Sequence, residues 1–213
     1  MSIFIFCDFD GTITNIDVID AISYKIIGAK KTDEINEKIS SGELTIRDYL
    51  EVLSGINDVE FTRILFETIT ENKISIDPTF TSFITWCNEN NIKLYILSYG
   101  FKKIISHFLP QFNRNNIFAH DLNNTKIIYD HTIIPKCEVL NKHELFDTQP
   151  DYTIHIGDGN SDYSMINKCD ILFAKKDSSL EKKCIELNAQ FYSFNNFNDV
   201  KETLITKLQW SSQ

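Results

Sequence analysis

The chain has 213 residues, of which 42% are hydrophobic and 12% aromatic, including 16 Phe. That is enough apolar material for a sizeable core and excludes a disordered polymer. Its net charge of −9, from 30 acidic and 21 basic residues with no basic block, argues against nucleic acid and against a polybasic membrane contact. A phosphorylated metabolite stays open as a partner, because a bound divalent ion locally inverts the field. The five cysteines, Cys7, Cys87, Cys137, Cys169 and Cys184, form no Cys-x-x-Cys pair and no Cys/His cluster, so neither a disulfide framework nor structural zinc is expected. No basic segment opens the chain, Asp8 interrupts its first apolar run, and no stretch reaches membrane-spanning length. The expected setting is cytoplasmic and reducing, without a membrane; oligomeric state is not encoded in any pattern.

Ile3-Phe4-Ile5-Phe6-Cys7 reads as a buried strand, followed by Asp8, Asp10 and Gly11. A helix is expected from an Asn15 cap through Ile16, Ile19, Ile22, Ile26 and Ile27 to Gly28. A second short helix starts at Thr32 and ends near Gly42. Thr45 and Asp48 have capping-box spacing for a third, ending around Ser54-Gly55, and Asn57 with Glu60 repeats it for a fourth carrying Phe61, Ile64, Leu65 and Ile69. Residues 15–74 thus read as a helical bundle, and 1–14 with 75–213 as a separate unit. Asp77-Pro78 opens a helix through Phe80, Phe83, Ile84 and Cys87; residues 92–97 form a strand, and Phe101–Leu109 a helix stopped by Pro110. Strand pieces follow near 117–118 and 126–129. A helix over about 136–146, a strand at 152–156, a helix near 161–168, a strand at 171–173, a helix near 179–187, a strand at 190–194 and a final helix complete the order. Such alternation defines an α/β fold, with a parallel sheet covered on both faces.

In an open α/β sheet ligands bind beyond the carboxyl ends of the strands. Asp8 and Asp10 fall there, two carboxylates that require a cation or a proton to sit together. Ser98 follows the strand 92–97 ahead of Tyr99-Gly100. Lys136 opens a helix, and Gly157-Asp158-Gly159 with Asp162 follows the strand 152–156. Each alone reads as a turn or cap residue; together they mark one sheet edge. The chemistry that needs this set is phosphoryl transfer through an aspartyl phosphate. It uses an attacking carboxylate, a second carboxylate moving a proton, a magnesium ion on oxygen ligands, and a hydroxyl, a lysine and backbone N–H groups on the phosphate. One residue between Asp8 and Asp10 would put their side chains on opposite faces of a strand, so Asp10 is expected in the loop.

Asp8-Phe9-Asp10-Gly11-Thr12, Ser98, Lys136 and Gly157-Asp158 with Asp162 resemble the four ordered motifs of the haloacid dehalogenase superfamily, across nearly the whole chain. The resemblance implies a Rossmann-like core and a magnesium-dependent phosphatase of small metabolites. It assigns Asp8 as nucleophile and metal ligand, and Asp10 as general acid/base with its backbone carbonyl on the metal. Asp158 becomes the other carboxylate ligand, and Asp162 an outer partner holding metal-bound water or Lys136. Ser98 and Lys136 bind phosphate, with backbone N–H groups near Gly11 and Tyr99-Gly100. An acid at the Asp10 position favours a phosphatase over a dehalogenase.

The helical block after the first strand is similar to the cap of the phosphoserine-phosphatase-like branch. That resemblance places Asp17 where the branch has a glutamate for a substrate amine, and a residue near Leu53 where it has an arginine for a carboxylate. Arg47 lies about two helical turns away. The stretches Cys7–Thr14, Lys136–Val139 and Leu172–Lys175 are more similar to phosphatases of 2-hydroxy-3-keto-5-methylthiopentenyl-1-phosphate in methionine salvage. Phosphoserine, phosphoethanolamine and phosphocholine remain alternative substrates; a phosphotransferase or mutase and a non-catalytic sensor of a phosphorylated ligand remain alternative functions. His155 is expected to make a structural hydrogen bond on its buried strand, Trp86 and the Phe residues to be core, and the ring of Tyr99 to border the cap cleft.

Overall fold

A computed structural model describes residues 1–53, 55–123 and 126–208. The first strand, β1 (Ile3–Cys7), is followed by four helices, α1 (Val18–Ile27), α2 (Ala29–Ser41), α3 (Ile46–Glu51) and α4 (Asp58–Asn72). Then come α5 (Phe80–Glu89), β2 (Lys93–Phe101), α6 (Lys102–Phe108), β3 (Ile117–Asn123) and β4 (Lys126–Ile128). The chain closes with β5 (Tyr152–Gly157), β6 (Ile171–Lys175), α7 (Ser179–Glu186), β7 (Tyr192–Phe194) and α8 (Phe197–Lys207). Among the described residues the strands form one seven-stranded sheet in the order β4-β3-β2-β1-β5-β6-β7. All pairings are parallel except the antiparallel β3–β4 edge. This is the α/β architecture expected from the sequence. No described helix is long and apolar enough to cross a membrane.

β1 is the central strand and is buried on both faces, as a parallel sheet requires. Its period of two sorts the side chains: Ile3, Ile5 and Cys7 join one core cluster with Phe80, Phe83, Phe197 and Leu204 of α5 and α8. Phe4 and Phe6 join the opposite cluster with Tyr95, Ile133 and Val139. There the rings of Phe6 and Tyr95 stack at 5.5 Å, and Phe146 meets Phe4 edge-on at 5.2 Å. Trp86 and most of the Phe residues thus serve as core, whereas Phe66 of α4 is 51% exposed. The five cysteines are all free thiols.

The helical block between β1 and β2 differs from expectation at its entrance. α1 is capped by Asp17, whose side chain accepts from the Asp20 N–H, because Asn15 is used elsewhere. Its backbone N–H donates to Ser75 O at 3.1 Å while its Oδ1 accepts from Ser75 N at 2.9 Å. Asn15 therefore ties the segment entering the block to the segment leaving it, beside the Thr14–Ile76 bridge. α2 begins at Ala29 rather than Thr32. The Thr45/Asp48 capping box and the Asn57 cap form as expected. The expected end of the third helix touches Ser54, which lies outside the described residues.

Four further differences follow, the first local and the others tertiary in cause. Asp77 accepts from Thr79 N at 2.7 Å, a local turn, and α5 starts after Thr79. β2 continues through Ser98-Tyr99-Gly100 to Phe101 with a register shift against β3 beyond Leu97. The stretches expected as helices near 136–146 and 161–168 are short 3-10 turns, Lys136–Asn141, His143–Leu145 and Asn160–Met165. Tight turns there serve to bury Lys136 and Asp162, both 0% exposed.

His120 of β3 is buried and accepts from Asp130 N at Nδ1, 3.0 Å, while its Nε2 has no hydrogen-bond partner among the described residues. Burial lowers its pKa from 6.5 to about 4. The unfolded chain therefore binds the extra proton first: the stability is intact above pH 6.5 and falls as pH drops through the interval down to about 4. His120→Gln, which keeps an acceptor for Asp130 N–H without a titrating ring, is expected to lose less stability than the parent over that interval in urea unfolding at stepped pH. Equal losses would show that the ring does not stay neutral.

Candidate active site

Asp8 is the first residue beyond β1, and its N–H donates to Ile156 O of β5 at 2.8 Å, so it still belongs to the sheet edge. Phe9 then turns into the core against Phe108, and Asp10 lies in the following turn. The chain thus leaves strand geometry after Asp8, and both carboxylates reach one cleft. Gly11 has φ +76°, and a Cβ on it would lie 2.5 Å from Asp158 Oδ2, so close approach as well as backbone conformation demands glycine. Thr12 Oγ1 donates to Asp158 Oδ1 at 2.6 Å, and Lys175 Nζ, at the end of β6, donates to Gly11 O at 2.6 Å and Thr12 O at 3.2 Å. The loop is therefore fastened to both β5 and β6.

Lys136 is the centre of the buried electrostatics. Its Nζ lies 2.7 Å from Asp8 Oδ1 and 2.7 Å from Asp162 Oδ1. Asp162 is saturated: His155 Nε2 shares its Oδ1 at 2.8 Å, and the N–H groups of Asp158 and Gly159 donate to its Oδ2 at 3.1 and 3.0 Å. Burial would raise the carboxyl pKa of Asp162, but Lys136 and His155 outweigh that and hold it well below the usual carboxylate range. Burial likewise works against the ammonium of Lys136, yet Asp162 and Asp8 keep it raised and charged. His155 stays neutral, its pKa lowered by burial. Asp8 differs: burial and then repulsion by Asp162 push its carboxyl well up despite Lys136.

Asp10 is held from two sides. Val18 N donates to its Oδ1 at 3.2 Å and Ser98 Oγ to its Oδ2 at 3.0 Å, while Gly100 N donates to Ser98 Oγ at 2.8 Å. Burial raises the Asp10 carboxyl to about 6 against these bonds. The stretch of β2 that carries Ser98 and Gly100 is the one where its register against β3 shifts, between Leu97 and Phe101. Without a ligand, Gly11 N donates to Thr14 Oγ1 at 3.1 Å, and Gly100 N to Ser98 Oγ. Tyr99 borders the cleft, and Lys136 Nζ sits 5.4 Å from its ring centroid.

Asp8, Asp158 and Asp162 each present a carboxylate oxygen within 4.8 Å of the others. Asp162 is already saturated, so Asp8 and Asp158 are the pair left to ligate. Burial and then Asp162 raise the Asp158 carboxyl to about 6. Two carboxylates with raised pKa values and no nitrogen or sulfur donor beside them suit a hard divalent cation such as Mg2+.

The cleft, about 750 Å³, runs from Asp8, Asp10 and Asp158 to α1, α2 and α3. Asp17 lines it while capping α1, whereas Leu53 is buried, 1% exposed, and does not line it. Arg47 is turned away, its guanidinium 4.7 Å from the Tyr129 ring centroid. Sequence reasoning quoted Thr12 and Lys175 within motifs without giving them a role, and it missed Asp20, Asn36 and Tyr49. Lys175 had one readable signal, a cation at the carboxyl end of a core strand.

The fold and this site define an α/β protein with a Rossmann-like sheet and a cluster of carboxylates at one edge of it. The model of the haloacid dehalogenase-like hydrolases matches residues 5–167, and the chain belongs to that family of enzymes. It is 31% identical to the 2-hydroxy-3-keto-5-methylthiopentenyl-1-phosphate phosphatase of Bacillus cereus, over 96% of each chain. It is 30% identical to the polyol phosphate phosphatase PYP1 of Saccharomyces cerevisiae, covering 92% of this chain and 90% of that protein. A phosphoserine phosphohydrolase-like protein from Francisella tularensis has the same fold, with a TM-score of 0.71 at 20% identity, covering 96% of this chain and 100% of that one.

Gly157 tests the buried cluster directly, since a Cβ there would lie 2.4 Å from Asp162 Cγ. Gly157→Ala is expected to lower the unfolding free energy by about 1–3 kcal/mol in urea titration. Unchanged stability would contradict the placement of Asp162.

Proposed function

We propose that this chain is a magnesium-dependent phosphatase that hydrolyses a phosphomonoester of a small metabolite through an aspartyl phosphate on Asp8. The observation that carries the reading is the Lys136 ammonium 2.7 Å from Asp8 Oδ1, in a buried pocket at the head of an open cleft. A carboxylate so placed is held in position to attack, and the same ammonium meets the phosphoryl oxygens once the group is transferred. Asp8, Asp158 and the backbone carbonyl of Asp10 would hold Mg2+, which offsets the negative charge of nucleophile and phosphate.

In the first step Asp8 forms its bond to phosphorus as the ester oxygen leaves, and the Asp10 carboxyl gives that oxygen its proton. In the second, water attacks phosphorus, the bond to Asp8 breaks, and Asp10 recovers the proton from the water. A carboxyl at about 6 can hold and release a proton near neutral pH. The Ser98 hydroxyl, now on Asp10 at 3.0 Å, rotates to bind a phosphoryl oxygen. Residues 15–74 act as a cap over the cleft, excluding bulk water and contacting the leaving group. The 31% identity with a relative named for 2-hydroxy-3-keto-5-methylthiopentenyl-1-phosphate supports assaying that compound first.

Asp8→Asn is expected to abolish phosphate release, by at least about four orders of magnitude for loss of a nucleophile; residual turnover by freshly prepared, deamidation-checked protein would sink the mechanism. Removal of divalent cations with EDTA is expected to stop turnover and re-addition of Mg2+ to restore it. Activity that survives chelation would exclude the metal role, and a trapped phosphoenzyme without free phosphate would indicate transfer to another acceptor.

A further inference from the structure

His155 stands in β5 where its neighbours in register are Phe6 of β1 and Leu172 of β6, both buried and apolar. Packing alone would favour an apolar side chain at such a position, as at Ile154 and Ile156 on either side of it. The imidazole instead leaves its Nδ1 buried without a hydrogen-bond partner among the described residues, a cost that an apolar side chain would avoid. What the ring supplies in return is a donor. Its Nε2 lies 2.8 Å from Asp162 Oδ1, the same oxygen that Lys136 Nζ reaches at 2.7 Å.

An ionised carboxylate offers about four acceptor sites. In Asp162 the N–H groups of Asp158 and Gly159 occupy Oδ2, and His155 with Lys136 occupies Oδ1. Without the imidazole N–H, Oδ1 would keep a single donor, the ammonium, and its charge would fall on that contact alone. Lys136 would then be drawn onto Asp162 at the expense of Asp8, whose Oδ1 competes for it at the same 2.7 Å. Resting on the phosphatase reading above, we infer that His155 is a positioning residue: its N–H shares Asp162 with Lys136 and so keeps the ammonium turned to Asp8 and the phosphoryl group. It acts through two other side chains, and it lies outside the motif residues that meet at the sheet edge.

Two substitutions in the full chain separate the donor from the packing. His155→Leu keeps an apolar filling and removes the N–H, whereas His155→Gln carries an amide N–H to about the place of the ring Nε2. Calorimetry gives the dissociation constants of Mg2+ alone and of inorganic phosphate in the presence of Mg2+. His155→Leu is expected to weaken phosphate binding by at least about tenfold, the scale on which outer partners of a site act, and His155→Gln to recover most of that loss. The Mg2+ constant is expected not to rise in either variant, because Asp8 and Asp158 keep their oxygens. A histidine that merely supports the fold would loosen the metal pair and the phosphate site together. Unchanged phosphate affinity in a cooperatively unfolding His155→Leu, no recovery in His155→Gln, or Mg2+ weakened in step with phosphate would each overturn the inference. If His155→Leu does not fold, His155→Asn replaces it, since its shorter amide reaches only to the place of Nδ1. Tighter phosphate binding by the Gln variant than by the Asn variant then upholds the inference, and equal or weaker binding overturns it. A parent chain that neither binds phosphate nor turns over p-nitrophenyl phosphate would refute the phosphatase reading and the inference with it; an active parent with unaffected variants would overturn the inference alone.

Discussion

The ammonium of Lys136, buried between Asp8 and Asp162, is the constraint from which the rest of the site follows. A charge taken out of water survives only when it is paired and hydrogen-bonded, and removing one partner from such a cluster costs about 3–5 kcal/mol. The protein meets that requirement with Asp162, whose two oxygens collect Lys136, His155 and two backbone N–H groups. Because Asp162 takes up the lysine charge from the side away from the cleft, the opposite side of the same ammonium is left for Asp8. The 3-10 turns at 136–141 and 160–165 and the absence of a side chain at Gly157 are the backbone consequences of packing that cluster.

The sheet brings the cluster together. β1 lies between β2 and β5 in parallel register, with Cys7 opposite both Ile96 and Ile156, so the residues just beyond these strands converge on one edge. β6 contributes Lys175, which braces the Gly11 and Thr12 carbonyls and so fixes the turn carrying Asp10. The helical block reaches the same edge from the other side. Val18 N binds Asp10, Asn160 Nδ2 donates to Ser40 Oγ at 2.7 Å, and Tyr129 OH donates to Glu51 at 2.8 Å. These contacts join the block to the sheet on both flanks of the cleft.

Much of this was legible in the chain. The run Ile3–Cys7 and the caps at Thr45 and Asn57 are set by local chemistry and form where the sequence places them. The motif residues Asp8, Asp10, Ser98, Lys136, Asp158 and Asp162 do come together, because strand ends in a parallel sheet share an edge. What could not be read depends on contacts distant in sequence. Asn15 looks like a helix cap until Ser75 claims it. The segments near 136–146 and 161–168 have helical composition, but burying Lys136 and Asp162 shortens them to 3-10 turns. Asp20, Asn36 and Tyr49 lie on three different helices and carry no joint signature along the chain.

The most direct measurement of the central claim, that Lys136 holds Asp8 for attack on phosphorus, is to find the phosphoryl group on Asp8 itself. Acid quenching during turnover, borohydride reduction and peptide mass spectrometry convert an acyl phosphate at that position into homoserine. The account requires homoserine at Asp8 in the parent chain and its loss in Lys136→Met. Reduction at any other carboxylate, or none under turnover conditions that accumulate a phosphoenzyme, would contradict it.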